Sequence, residues 1–154
     1  MAPENKSEQE SQQRPLILVV EDDIGAAVLQ RRHLERAGYR VAVASNFAEA
    51  ENVLTGGEVR LVLMDYRLGN ASGLEVHRRL KAAGFDVPVI MVSGAITDET
   101  VIEAMRAGVR DVVVKDVEYL QYLPEAVREV VKQATSVPEW VQEPASSAVL
   151  VVED

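Results

Sequence analysis

Glu21, Asp22 and Asp23 follow directly on the apolar run LILVV, and Asp65 closes VRLVLMD in the same way. Carboxylates crowded at the end of a buried run raise one another's pKa and destabilise a fold unless a positive charge sits among them. Two further polar groups end such runs: Ser93 after VPVIMV, and Lys115 after VRDVVV. The chain has no cysteine, and its two histidines, His33 and His77, have no acidic or histidine partner at metal spacing. Clustered carboxylates without sulfur or imidazole are hard oxygen ligands, the set Mg²⁺ prefers, and Mg²⁺ takes one or two carboxylates while keeping water or phosphate oxygens. A divalent cation held by Glu21, Asp22 and Asp65 is thus the chemistry these residue types offer.

That chemistry requires elements that bring the run ends together. Apolar runs of strand length alternate with segments of helical period: LILVV with IGAAVLQRRHLERAG, YRVAVA with NFAEAENVLTGG, VRLVLMD with SGLEVHRRLKAAG, VPVIMVSG with TDETVIEAMRAG, and VRDVVVK with a last helix starting near Pro124. In the first helix Val28, Leu29, Leu34 and Ala37 can share a buried face, and Asp23 can cap its start. Ser45 or Asn46 opens the second helix. Near-continuous Val, Ile and Leu in the strands implies burial on both faces, hence a parallel sheet between helix layers. The expected fold is α/β, a doubly wound, flavodoxin-like five-stranded parallel sheet of order 2-1-3-4-5 with helices on both faces. Its ligand crevice lies beyond the carboxyl ends of strands 1 and 3. Glu21, Asp22, Asp65, Ser93 and Lys115 all belong to that edge.

The 154 residues suit one domain, and 47% hydrophobic residues can fill one core. A net charge of −9 disfavours direct nucleic-acid binding and adsorption to anionic membranes. With no cysteine, no apolar leader in MAPENKSEQESQQR and no run long enough to span a bilayer, a soluble protein of the cytoplasm is expected.

Four ordered stretches, ILVVEDD, LVLMDYRLGNASGLEV, PVIMVSG and GVRDVVVKD, resemble the receiver domain of two-component response regulators over residues 16–135. The resemblance implies that Asp65 accepts a phosphoryl group from a sensor histidine kinase or histidine phosphotransfer protein. It implies that Asp22 and Asp65 bind Mg²⁺ directly, Glu21 through water, and Arg67 through its backbone carbonyl. Such a domain is no conventional enzyme; it catalyses its own aspartyl phosphorylation and autodephosphorylation. It signals to a downstream protein target, and homodimerisation is a further expectation. Physical roles agree: Asp65 is a carboxylate nucleophile, Lys115 a compact second cation, Ser93 a hydroxyl donor to the phosphoryl group, and Gly94 leaves that group room.

Three positions depart from the family pattern. Gly69 stands where receivers place proline, which predicts a looser loop; Asp116 replaces the proline after the lysine and could weaken its pull; Val112 replaces a switching aromatic residue. These departures keep open a phosphorylation-independent binding module. A Mg²⁺-dependent phosphatase using an aspartyl nucleophile is disfavoured, because Arg67 stands where its second acid would be. Residues 1–15 read as a polar tail and 136–147, with Pro138, Trp140 and Pro144, as a linker. VLVVED at 149–154 nearly repeats ILVVED at 17–22, so residues 148–154 either begin a second receiver or form an apolar tail.

Overall fold

The computed structural model describes residues 14–135; the amino-terminal stretch before them, residues 136–147 expected as a linker, and the VLVVED stretch at 149–154 lie outside the described residues. The strands are β1 (Leu16–Val20), β2 (Arg40–Ala44), β3 (Val59–Asp65), β4 (Arg67–Leu68), β5 (Ala71–Ser72), β6 (Val89–Ser93) and β7 (Asp111–Val114). The helices are α1 (Ile24–Arg36), α2 (Phe47–Thr55), α3 (Gly73–Ala82), α4 (Asp98–Arg106) and α5 (Tyr119–Thr135). Five strands form a parallel sheet in the order β2-β1-β3-β6-β7, which is the expected 2-1-3-4-5 once the short β4-β5 hairpin is set aside.

Period-two alternation divides the strands between two cores. Leu18, Val20, Val62, Met64, Val89 and Met91 face α2, α3 and α4. Ile17, Val19, Leu61, Leu63, Ile90 and Val92 face α1 and α5. The sheet is therefore covered on both sides, with its central strands β1, β3 and β6 the most deeply buried. Side-chain caps start α1 to α4: Asp23 accepts from the N–H groups of Gly25 and Ala26, Asn46 from Glu49, Ser72 from Glu75 and Thr97 from Thr100. Asn46, not Ser45, caps α2; Ser45 instead bonds the Glu49 carboxylate through its N–H and hydroxyl.

Two helices differ from expectation. In α1 the buried face is Ala27, Gln30 and Leu34, whereas Val28 and Leu29 are exposed and so is Ala37. The last helix begins at Tyr119, placing Pro124 inside it, where it has no N–H to give the Leu120 carbonyl. Tyr119, Leu123, Val127 and Val130 form one stripe against the sheet, and burial of that stripe outweighs the missing bond. No helix among the described residues is long and apolar enough to cross a membrane.

Candidate functional site

The sheet ladder continues past the strand ends and sets the site residues side by side. The Glu21 N–H donates to the Ala44 carbonyl at 2.9 Å, the Tyr66 N–H to Val92 at 2.8 Å, and the Lys115 N–H to Ser93 at 2.8 Å. Asp65 pairs in register with Val92. Consequently Glu21, Asp22 and Asp65 each point a carboxylate oxygen into a common space, the three atoms lying within 4.8 Å of one another.

Their environments differ. Glu21 is buried, with a side chain only 1% exposed, while Asp22 is exposed. The Glu21 Oε1 accepts from Lys115 Nζ at 2.8 Å and from Gln30 Nε2 at 3.3 Å, and its Oε2 accepts from the Asp23 N–H at 3.2 Å. A solvated surface acid is thereby excluded for Glu21. Lys115 lies farther from Asp65, at 3.8 Å from Oδ2. Burial pulls the Lys115 ammonium down, but its bond to Glu21 and the charges of Asp65 and Glu21 outweigh this and hold it above the usual lysine range.

Asp65 is pushed up to about 7, first by burial, then by a side-chain contact and like charge from Glu21, with Lys115 and the Arg67 N–H pulling the other way. One lysine shared mainly with Glu21 leaves the cluster short of positive charge. An all-carboxylate cluster with an uncompensated charge fits a hard divalent cation.

The loop after Asp65 is a paired hairpin, not a loose segment. Arg67 pairs with Ser72 and Leu68 with Ala71, leaving Gly69 and Asn70 as the two-residue turn. Gly69 has φ +61°, the value a type II′ turn needs at its first central residue and one proline cannot adopt. Glycine therefore stands in the proline position because this hairpin requires it. Gly73 packs under the hairpin: its N–H donates to the Tyr66 carbonyl at 2.6 Å, and a Cβ would fall 2.1 Å from the Asp65 carbonyl oxygen. The Arg67 side chain is exposed, so Arg67 faces the site only through its main chain.

Ser93 is buried at the end of β6, and its hydroxyl donates to the Ala95 carbonyl at 3.1 Å. The hydroxyl is thus engaged by its own loop and not by Asp65. A Cβ on Gly94 would meet nothing within 4 Å, so the space beside Ser93 is open. Asp116 is turned away from the cluster: its carboxylate accepts from the Tyr122 hydroxyl and the Glu118 N–H. Val112 is half-buried against the α2–α4 core. Neither histidine joins the site. The buried His77 donates from Nε2 to the Ala107 carbonyl at 2.9 Å, and burial holds its ring below the usual histidine range. His33 bonds the Leu29 carbonyl within α1.

Two neighbours of the site were not expected. Gln30 and Tyr119 bond each other at 3.0 Å behind Glu21. Tyr119 lies four residues before Leu123 on an apolar stripe that reveals its burial but not its partner, whereas Gln30 lies on the face of α1 between Ala27 and Leu34, away from the Val28 and Leu29 that the apolar pattern favours.

Residues 17–128 match the response regulator receiver domain family. The chain is 31% identical over 103 residues to the transcriptional regulatory protein ZraR of Klebsiella oxytoca, covering 67% of this chain and 23% of that protein. It is 32% identical over 99 residues to the swarming motility regulation protein RssB of Serratia marcescens, covering 64% and 45%. It thus spans about a quarter to a half of the curated relatives it matches. A crystal structure of a response regulator from Thermotoga maritima superposes with a TM-score of 0.69 at 28% identity, covering 77% of this chain and 98% of the other.

Proposed function

The chain belongs to the response regulator receiver domain family of two-component systems, and we propose that within it Asp65 is the phosphoacceptor, charged by a histidine kinase or histidine phosphotransfer protein. The observation that carries this reading is the meeting of Asp65 with Glu21 and Asp22 within 4.8 Å, with the Lys115 ammonium 3.8 Å away. An Asp65 carboxylate oxygen attacks phosphorus; the new O–P bond forms as the donor's P–N bond breaks, and the leaving imidazole takes up a proton. Hydrolysis of the aspartyl phosphate by water later returns the carboxylate and inorganic phosphate.

Asp22, Asp65 and the Arg67 carbonyl would hold Mg²⁺, with Glu21 acting through water. Bound Mg²⁺ supplies charge neutralisation for the phosphoryl oxygens. Lys115 holds one of those oxygens once the group arrives. Ser93 gives its hydroxyl hydrogen to another, which requires release of the Ala95 carbonyl and so moves the β6–α4 loop inward. That shift biases the surface of α4, β7 and α5 toward a downstream protein target. A cytoplasmic setting and self-association through that surface complete the proposal.

Two of the three departures from the family pattern leave the acceptor site intact, since Gly69 builds an ordered hairpin and Asp116 is held by Tyr122. A binding module indifferent to phosphorylation is accordingly the weaker reading. Incubation with Mg²⁺ and acetyl phosphate should yield one phosphate adduct by mass spectrometry, absent in Asp65→Ala. An adduct that persists in the variant, or none in the native chain even with a cognate kinase, overturns the proposal.

A further inference from the structure

We propose that Gln30 and Tyr119 are positioning residues that fix the Glu21 carboxylate and, through it, the Lys115 ammonium beside Asp65. The inference rests on the reading of Asp65 as phosphoacceptor. Gln30 is 2% exposed on the packed face of α1, between Ala27 and Leu34. A buried amide without partners is costly, and an apolar side chain would fill the same place without that cost. Its amide finds its partners at the site: Nε2 lies 3.3 Å from Glu21 Oε1 and 3.0 Å from the Tyr119 hydroxyl. Because the Glu21 oxygen is an acceptor, the NH₂ end of the amide must face it, and Tyr119 therefore accepts the other hydrogen.

Glu21 is consequently gripped by three donors, namely Lys115, Gln30 and the Asp23 N–H. The grip decides where Lys115 rests. Held 2.8 Å from Glu21, the ammonium stays 3.8 Å from Asp65 Oδ2. A lysine locked onto Asp65 would tie up the carboxylate that must attack, whereas one held at this distance can still receive a phosphoryl oxygen. Tyr119 opens α5 and Gln30 lies in α1, so the chain of bonds also fastens the two helices of one sheet face to the acceptor site.

Gln30→Leu keeps the volume and suits the apolar surroundings; Tyr119→Phe removes a single oxygen. With Mg²⁺ and acetyl phosphate, Gln30→Leu should lower the saturated phosphorylation rate constant about tenfold with little change in the half-saturating donor concentration. Mg²⁺ affinity by calorimetry should fall in the same variant, and the Lys115 ¹⁵Nζ resonance should move. Tyr119→Phe should act in the same direction but less, and the double variant should be no worse than Gln30→Leu alone. A purely structural role would lower the urea midpoint and leave the rate constant, the affinity and the resonance in place, which overturns the inference. If the native chain takes no phosphate, the acceptor reading falls on its own, and unchanged Mg²⁺ affinity and Lys115 resonance in Gln30→Leu overturn the positioning role separately. Should Gln30→Leu fail to fold, Tyr119→Phe decides by the same readouts.

Discussion

Replacing Asp65 by asparagine should stabilise the metal-free protein at neutral pH, although it removes the group proposed to react. The Asp65 carboxyl moves from the ordinary 3.8 to about 7 in the folded chain, through burial and then the proximity of Glu21. A folded value above the unfolded one means the native state holds its proton more tightly. Stability from this group is therefore fully present below about pH 4 and is lost as the pH rises through about 7. A rise from 3.8 to about 7, at about 1.36 kcal/mol per tenfold change in proton affinity, gives an upper figure of about 4 kcal/mol. The side chain is 11% exposed, and water at that rim reduces the expected effect to about 2–4 kcal/mol. Urea unfolding followed by circular dichroism, in chelator, should show native chain and Asp65→Asn nearly equal at pH 4 and the variant ahead by that amount at pH 8. Adding Mg²⁺ should stabilise the native chain and narrow the gap, since a ligand bound only by the folded state shifts the equilibrium toward it. A variant no more stable than the native chain at pH 8, or a gap that does not change with pH, refutes the argument that uncompensated charge resides on Asp65.

Gly73→Ala should destabilise the fold by about 3 kcal/mol and impair phosphorylation, because its Cβ would fall 2.1 Å from the Asp65 carbonyl oxygen with backbone as the obstacle; a urea midpoint unchanged from the native one would contradict this. Gly69→Pro, which restores the residue receivers usually carry, should lower stability by about 1 kcal/mol or more, since proline cannot reach φ +61°. A gain in melting temperature in that variant would show that the hairpin turn tolerates another conformation.

Much of the architecture was legible because it depends on local pattern. Continuous Val, Ile and Leu runs announce strands buried on both faces, and acids, serine and lysine at their ends announce where that burial stops. Once a doubly wound order is inferred, Glu21, Asp22, Asp65, Ser93 and Lys115 must share an edge, and the structure places all five there. Other features depend on which surfaces meet. The buried face of α1 carries Gln30, while the more apolar Val28 and Leu29 face solvent, because a residue's neighbours across the packed face decide its burial as much as its own hydrophobicity. Pro124 suggested a helix start, but the apolar stripe from Tyr119 holds the helix together through it. Gly69 looked like a loosened loop and is a hairpin turn, a matter of backbone dihedral that residue type alone left open. The sequence by itself determined the composition of the site and the strand ends that carry it, since burial periodicity is a local property. Only tertiary packing decided that Gln30 meets Tyr119, 89 positions away, behind Glu21, and that Lys115 leans toward Glu21 more closely than toward Asp65.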